Sequence, residues 1–109
     1  MRNTEDELYS LHARMCRVFT DPTRLKILRF LGKGEKNVGE LAKLCKTRQA
    51  TLSQHLAIMR REGVLKTRRK GTSIFYSVAD GRILEACSIM RKALTSRLKN
   101  DGKISKVIL

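Results

Sequence analysis

Residues 37–78, NVGELAKLCKTRQATLSQHLAIMRREGVLKTRRKGTSIFYSV, decide the fold. Asn37 can cap a short helix that carries Val38, Leu41, Ala42 and Cys45 on one face. After Lys46 a new helix starts near Thr47 and runs through Leu52, Leu56 and Met59 to Gly63. A short amphipathic helix, a tight connection and a longer helix with a polar opening turn form the helix-turn-helix pattern. Two β-prone segments follow, Val64 to Arg69 and Ser73 to Val78, around the turn Lys70-Gly71-Thr72. A basic hairpin directly after the second helix is a wing. Residues 37–62 therefore read as the helix-turn-helix and 64–78 as the wing.

Upstream, Leu8, Leu11, Met15, Val18 and Phe19 recur at helical spacing, and Thr4 with Glu7 has the spacing of a capping box. This predicts a helix within residues 1–20. Asp21-Pro22 offers an N-cap followed by the chain's one proline, and a second helix carries Leu25, Ile27, Leu28 and Leu31 to the stop Gly32-Lys33-Gly34. Downstream, Ile83, Leu84, Cys87, Met90, Leu94 and Leu98 predict a last helix over 80–98, with Asn100-Asp101-Gly102 after it. Residues 99–109 form a tail without an assignable pattern. With no repeat, low-complexity tract or linker, the expected architecture is one winged helix-turn-helix domain over 1–109, mainly α with a small β-hairpin, in the order α-α-α-α-β-β-α.

Charge is the strongest compositional signal: 24 Lys and Arg stand against 10 Asp and Glu, a net charge of +14. Nucleic acid is the natural partner, a solvated basic surface or an anionic membrane being the competing readings. Apolar runs are only a few residues long and the opening MRNTEDELYS is acidic and polar, so neither a membrane span nor a signal peptide is expected. The three cysteines, Cys16, Cys45 and Cys87, make an odd number without close spacing. Reduced thiols in a cytoplasmic protein are the expectation.

Placing Leu52, Leu56 and Met59 inward turns Ala50, Gln54, Ala57 and Arg61 outward, with Thr51 and Ser53 on the flanks. Gln54 is then the best-aimed polar reader. Arg48 and Gln49 lie in the opening turn, where arginine can take guanine and glutamine adenine through paired hydrogen bonds. Thr51 and Ser53 can bond phosphates or bases. His55 borders the buried face, which suits a structural or phosphate-bonding role better than base reading. His12, beside the stripe of the first helix, suits surface or interface packing. Arg68, Arg69 and Lys70 give the wing a cationic run for a phosphate backbone or a minor groove, a solvated turn being the plainer use.

The two terminal helices carry more apolar surface than a three-helix core and a hairpin can cover, which points to self-association, unless both stripes complete the core within the chain.

Several separate motifs occur in one order: Asp21-Pro22-Thr23-Arg24-Leu25-Lys26-Ile27-Leu28, Val38-Gly39-Glu40-Leu41-Ala42, Gln49-Ala50-Thr51-Leu52-Ser53-Gln54-His55-Leu56, Arg61-Glu62-Gly63-Val64-Leu65 and Ile74-Phe75-Tyr76. Over about residues 8 to 98 the chain resembles the ArsR/SmtB repressors, and within them the branch that includes BigR and HlyU. The resemblance implies a homodimer built from helices 1–20 and 80–98 that binds double-stranded DNA at an inverted-repeat operator and leaves it when an effector arrives. It places DNA contacts at Gln49, Ser53 and Gln54, with Ala50 where a polar residue is more usual. It also associates that branch with sulfide or redox response, through cysteines on the second and last helices. Here those positions hold Arg29 and, approximately, Thr95, so that mechanism does not carry over.

The ligand sets of the family's metal sensors are missing. The junction Lys36-Asn37-Val38-Gly39 has no Cys-x-Cys, and the last helix has no histidine beside Asp80. No metal or other cofactor is expected. No catalytic constellation or phosphate loop appears either, so an enzyme is not expected. The competing function is a basic module for RNA or protein contacts without operator specificity. Cys45 and Cys87 follow apolar helical spacing and read as small hydrophobes. Cys16, beside Arg17 and near Arg14, is a possible thiol sensor, with Cys87 as a partner if the terminal helices pack together.

Overall fold

The computed structural model describes residues 3–102. The order is α1 (Thr4–Val18), α2 (Pro22–Leu31), β1 (Lys36–Asn37), α3 (Val38–Cys45), α4 (Gln49–Arg61), β2 (Leu65–Lys70), β3 (Ser73–Val78) and α5 (Gly81–Asn100). The strands form one antiparallel sheet in the order β1-β3-β2. This is a winged helix-turn-helix. The chain groups into two compact units that divide between Ala79 and Asp80.

In the first unit, most of the residues selected by helical spacing in α2, α3 and α4 build the core, but Leu25 of α2 is exposed. Ile27, Leu28 and Leu31 of α2, Leu41 and Cys45 of α3, and Leu52, Leu56 and Met59 of α4 are all buried, with Val18, Val64 and Leu65. Burying side chains of this size contributes about 1.5–3 kcal/mol each, which is what holds three short helices together. In the second unit, α5 starts on Asp80, whose side chain accepts from the Arg82 N–H at 2.9 Å.

Strand β1 is an addition to the expected order. It pairs with β3 through Lys36 opposite Tyr76 and Asn37 opposite Phe75. At two residues it is too short to show alternation, and Asn37 also caps α3. The Asn37 side chain accepts from the Glu40 N–H at 2.9 Å, and the Asn37 N–H donates to Glu40 Oε1 at 3.0 Å. Three boundaries also move. Asn3, not Thr4, caps α1, its Oδ1 accepting from the Asp6 N–H at 2.7 Å. Helix α4 starts at Gln49 rather than near Thr47, and α5 runs to Asn100. The tail expected from residue 99 begins with this last turn, and its residues 103–109 lie outside the described ones.

Two left-handed residues shape the motif. Lys46, at φ 53°, ends α3 as the Thr47 N–H bonds the Ala42 carbonyl at 3.0 Å. Gly63, at φ 79°, ends α4 in the same way, with the Val64 N–H on the Met59 carbonyl at 2.9 Å and its own N–H on Arg60 at 3.0 Å. This double closure satisfies the last carbonyls of the helix and turns the chain into the wing. A Cβ at Gly63 would meet no atom within 4 Å, so only backbone strain opposes a side chain. Gly63→Ala is expected to lower stability by about 1–2 kcal/mol, the cost of a left-handed residue with a Cβ. Urea unfolding measures it, and an unchanged midpoint would refute the role given to this glycine.

Candidate nucleic-acid interface

Helix α4 presents the surface that periodicity anticipates. Gln49, Ala50, Thr51, Ser53, Gln54, Ala57, Arg60 and Arg61 are exposed, while Leu52, Leu56 and Met59 are sealed beneath. Arg48 is the N-cap and makes no side-chain cap bond. The opening N–H groups of α4 are thus without the usual side-chain acceptor, and an anion at a helix start is favoured by those donors and by the helix dipole. The exposed guanidinium of Arg48 and amide of Gln49 stand at the same end.

His55 is half-buried, and its Nδ1 accepts from Arg24 Nε at 3.1 Å. This bond ties His55 of α4 to Arg24 of α2. Arg24 follows Asp21, whose Oδ1 accepts from the Thr23 and Arg24 N–H groups at 2.8 and 3.2 Å. Sequence spacing alone does not single out Arg24, because its partner lies 31 positions away.

The wing is a hairpin with Lys70 opposite Ser73, so the turn is Gly71-Thr72. Gly71 has φ 62° and Thr72 does not share the positive sign, which is the II′ arrangement that matches strand twist. Arg69 and Lys70 are exposed beside this tip. Arg68, the first cation of the wing's run, is paired with an acid. Its guanidinium grips the Glu35 carboxylate through two bonds, Nη2 to Oε1 and Nε to Oε2 at 3.2 Å, and lies 5.6 Å from the Phe75 ring centroid. Hydrogen bonding from Arg68 holds the Glu35 carboxyl below its ordinary range. The pair ties the wing to the residue just before β1. A cleft of about 300 Å³ lies between wing and helix, lined by Asn37, Val38, Ser53, Ser73, Ile74 and Tyr76 among others.

Cys45 is buried and Cys87 half-buried, and burial raises both thiols above their ordinary range. Cys16 is exposed. The Arg14 near it is committed elsewhere, gripping Glu62 with a second bond from Nη2 to Oε2 at 2.8 Å. Thr95 Oγ1 donates within α5 to the Lys92 carbonyl at 3.1 Å. Among the described residues, no three His, Cys, Asp or Glu side chains gather as a metal site. No helix of the described residues is long and apolar enough to cross a membrane.

A recognition helix with an exposed polar face, followed by a basic wing, defines a DNA-binding regulator of the winged helix-turn-helix class. Residues 21–67 match the bacterial regulatory proteins of the arsR family. The chain is 35% identical over 97 residues to the uncharacterized HTH-type transcriptional regulator Rv0081 of Mycobacterium tuberculosis, covering 88% of this chain and 84% of that one. The crystal structure of Rv0081 superimposes with a TM-score of 0.78, covering 86% of this chain and 95% of that one. The transcriptional repressor BigR from Xylella fastidiosa gives 0.72 at 29% identity, over 84% and 96% of the two chains. The homodimeric winged helix-turn-helix DNA-binding domain Mb0332 from Mycobacterium bovis shares the fold, with a TM-score of 0.83 at 23% identity over 92% and 93%. This chain belongs to the ArsR family of transcriptional regulators, in keeping with the BigR and HlyU branch that its motifs resemble.

Proposed function

We propose that the protein is a homodimeric repressor that reads an inverted-repeat operator with α4, grips its backbone with the wing, and leaves it on an effector signal. The carrying observation is the exposed row Arg48, Gln49, Thr51, Ser53 and Gln54 on a helix whose opposite face is anchored in the core. Bases are read from such a face in the major groove, while phosphate contacts supply affinity without sequence preference. The dimer rests on apolar side chains left in water. Leu8, Tyr9, Leu11 and Met15 of α1 and Ile89, Met90 and Leu94 of α5 are all exposed in the single chain. Apolar surface of that extent marks an interaction face. Of the three thiols, the exposed Cys16 is the one in reach of a thiol-directed effector.

The division between helix and wing is testable. Arg69→Ala with Lys70→Ala is expected to weaken all duplexes alike and to flatten the slope of log affinity against log salt by about 2, one for each lost phosphate contact. Arg68→Ala is expected to change the slope less, since Glu35 already engages that guanidinium. Fluorescence anisotropy from low to moderate salt gives both numbers. A wing variant with altered sequence preference and an unchanged slope would contradict the assignment.

A further inference from the structure

Beside the recognition face, and sharing Arg61 of α4 with it, the first unit contains a second concentration of positive charge. A groove of about 320 Å³ is lined by Arg14, Arg17, Arg24 and Arg61, with Val18 and Ile58 as its apolar part and Glu62 as its single acid. Four arginines and one glutamate line it, a formal balance of three positive charges, with the Arg14 and Arg61 guanidiniums standing at the Glu62 carboxylate. Two of the four are fixed in place: Arg14 by Glu62 and Arg24 by His55. Arg17 has no acidic partner among the described residues, and Arg61 stands 3.7 Å from the Glu62 carboxylate that Arg14 already engages.

A basic residue in the last turn of a helix offsets the negative end of the helix dipole, and Arg17 of α1 and Arg61 of α4 stand at such ends. That use explains neither Arg14, which lies before that turn and is aimed at Glu62, nor Arg24, in the first turn of α2. Glu62 offsets only one of the positive charges brought together from three helices, and the planar guanidinium matches phosphate oxygens in paired hydrogen bonds. The volume is at the lower end for small-molecule sites, about 300–1,000 Å³.

We propose that this groove is an oxyanion site that takes a phosphate group. The phosphate has two possible sources, a free phosphorylated effector or a backbone phosphate of the operator flanking α4. The second rests on the DNA-binding reading above, while the first stands without it.

The test compares the full chain with Arg17→Gln/Arg61→Gln, which leaves the Arg14–Glu62 and Arg24–His55 pairs intact. Inorganic phosphate is titrated calorimetrically against each protein without DNA, at constant ionic strength set with chloride. Operator affinity is then measured across a salt series. If the source is a free effector, the wild type binds phosphate and the variant binds it at least 10-fold more weakly. If the source is the duplex, the variant flattens the salt slope by about 2, and ethylation interference loses a phosphate beside each half-site. A variant that matches the wild type in both measurements overturns the inference. A wild type that binds no duplex would defeat the regulator reading, and the phosphate titration would still decide the groove. Arg61→Gln alone replaces the double variant if that one melts early, with the same readouts and a slope change of about 1.

Discussion

Gln49→Ala with Gln54→Ala is expected to erase most operator preference while leaving binding to unrelated duplexes nearly intact. Both amides are exposed on α4, five positions apart, the first in the opening turn and the second on the outward face. A glutamine that donates to and accepts from an adenine edge discriminates against a wrong base by about 1–3 kcal/mol, so two such losses are felt independently. The scaffold is untouched, because Leu52, Leu56 and Met59 anchor the helix from the other side. Competition binding with a selected operator and a scrambled duplex separates the two effects. Equal loss on both duplexes would show that the glutamines bond backbone rather than bases.

Leu8→Glu with Leu11→Glu is expected to make the protein monomeric. The two leucines are 64% and 56% exposed in the single chain, so the protomer folds without them. In a dimer that covers them, each contributes about 1.5–3 kcal/mol through burial, and a carboxylate in its place adds an uncompensated charge. Losing about 3 kcal/mol or more raises the dimer dissociation constant by roughly 100-fold or more. Operator affinity falls with it, because one protomer holds only one half-site. Sedimentation equilibrium reads the dimer directly. A variant as dimeric as the wild type would remove α1 from the interface.

Much of this is legible in the sequence. Leu41, Cys45, Leu52, Leu56 and Met59 declare the helix-turn-helix because each helix must bury one face, and that demand is written as a period. The wing followed from Gly71, where a two-residue turn needs a positive φ. What remained hidden depends on distance along the chain. Strand β1 exists only because β3 pairs with it from about 40 positions away. Glu35 takes Arg68 out of the free charge of the wing across 33 positions, and Arg24 fixes His55 across 31. No local pattern encodes such pairs, since a single charged residue looks the same whether or not a partner folds against it. The arginine groove was invisible for the same reason, its members being scattered over α1, α2 and α4.

Selection of bound sequences from a random duplex pool, followed by footprinting of the winner, tests the central proposal most directly. A two-fold dimer carrying one α4 in each protomer is expected to return an imperfect inverted repeat. Its half-site centres should lie about 10 to 20 base pairs apart, one or two helical turns, with two protomers bound. A single asymmetric half-site held by one protomer, or a pool with no preference over random duplex, would contradict it.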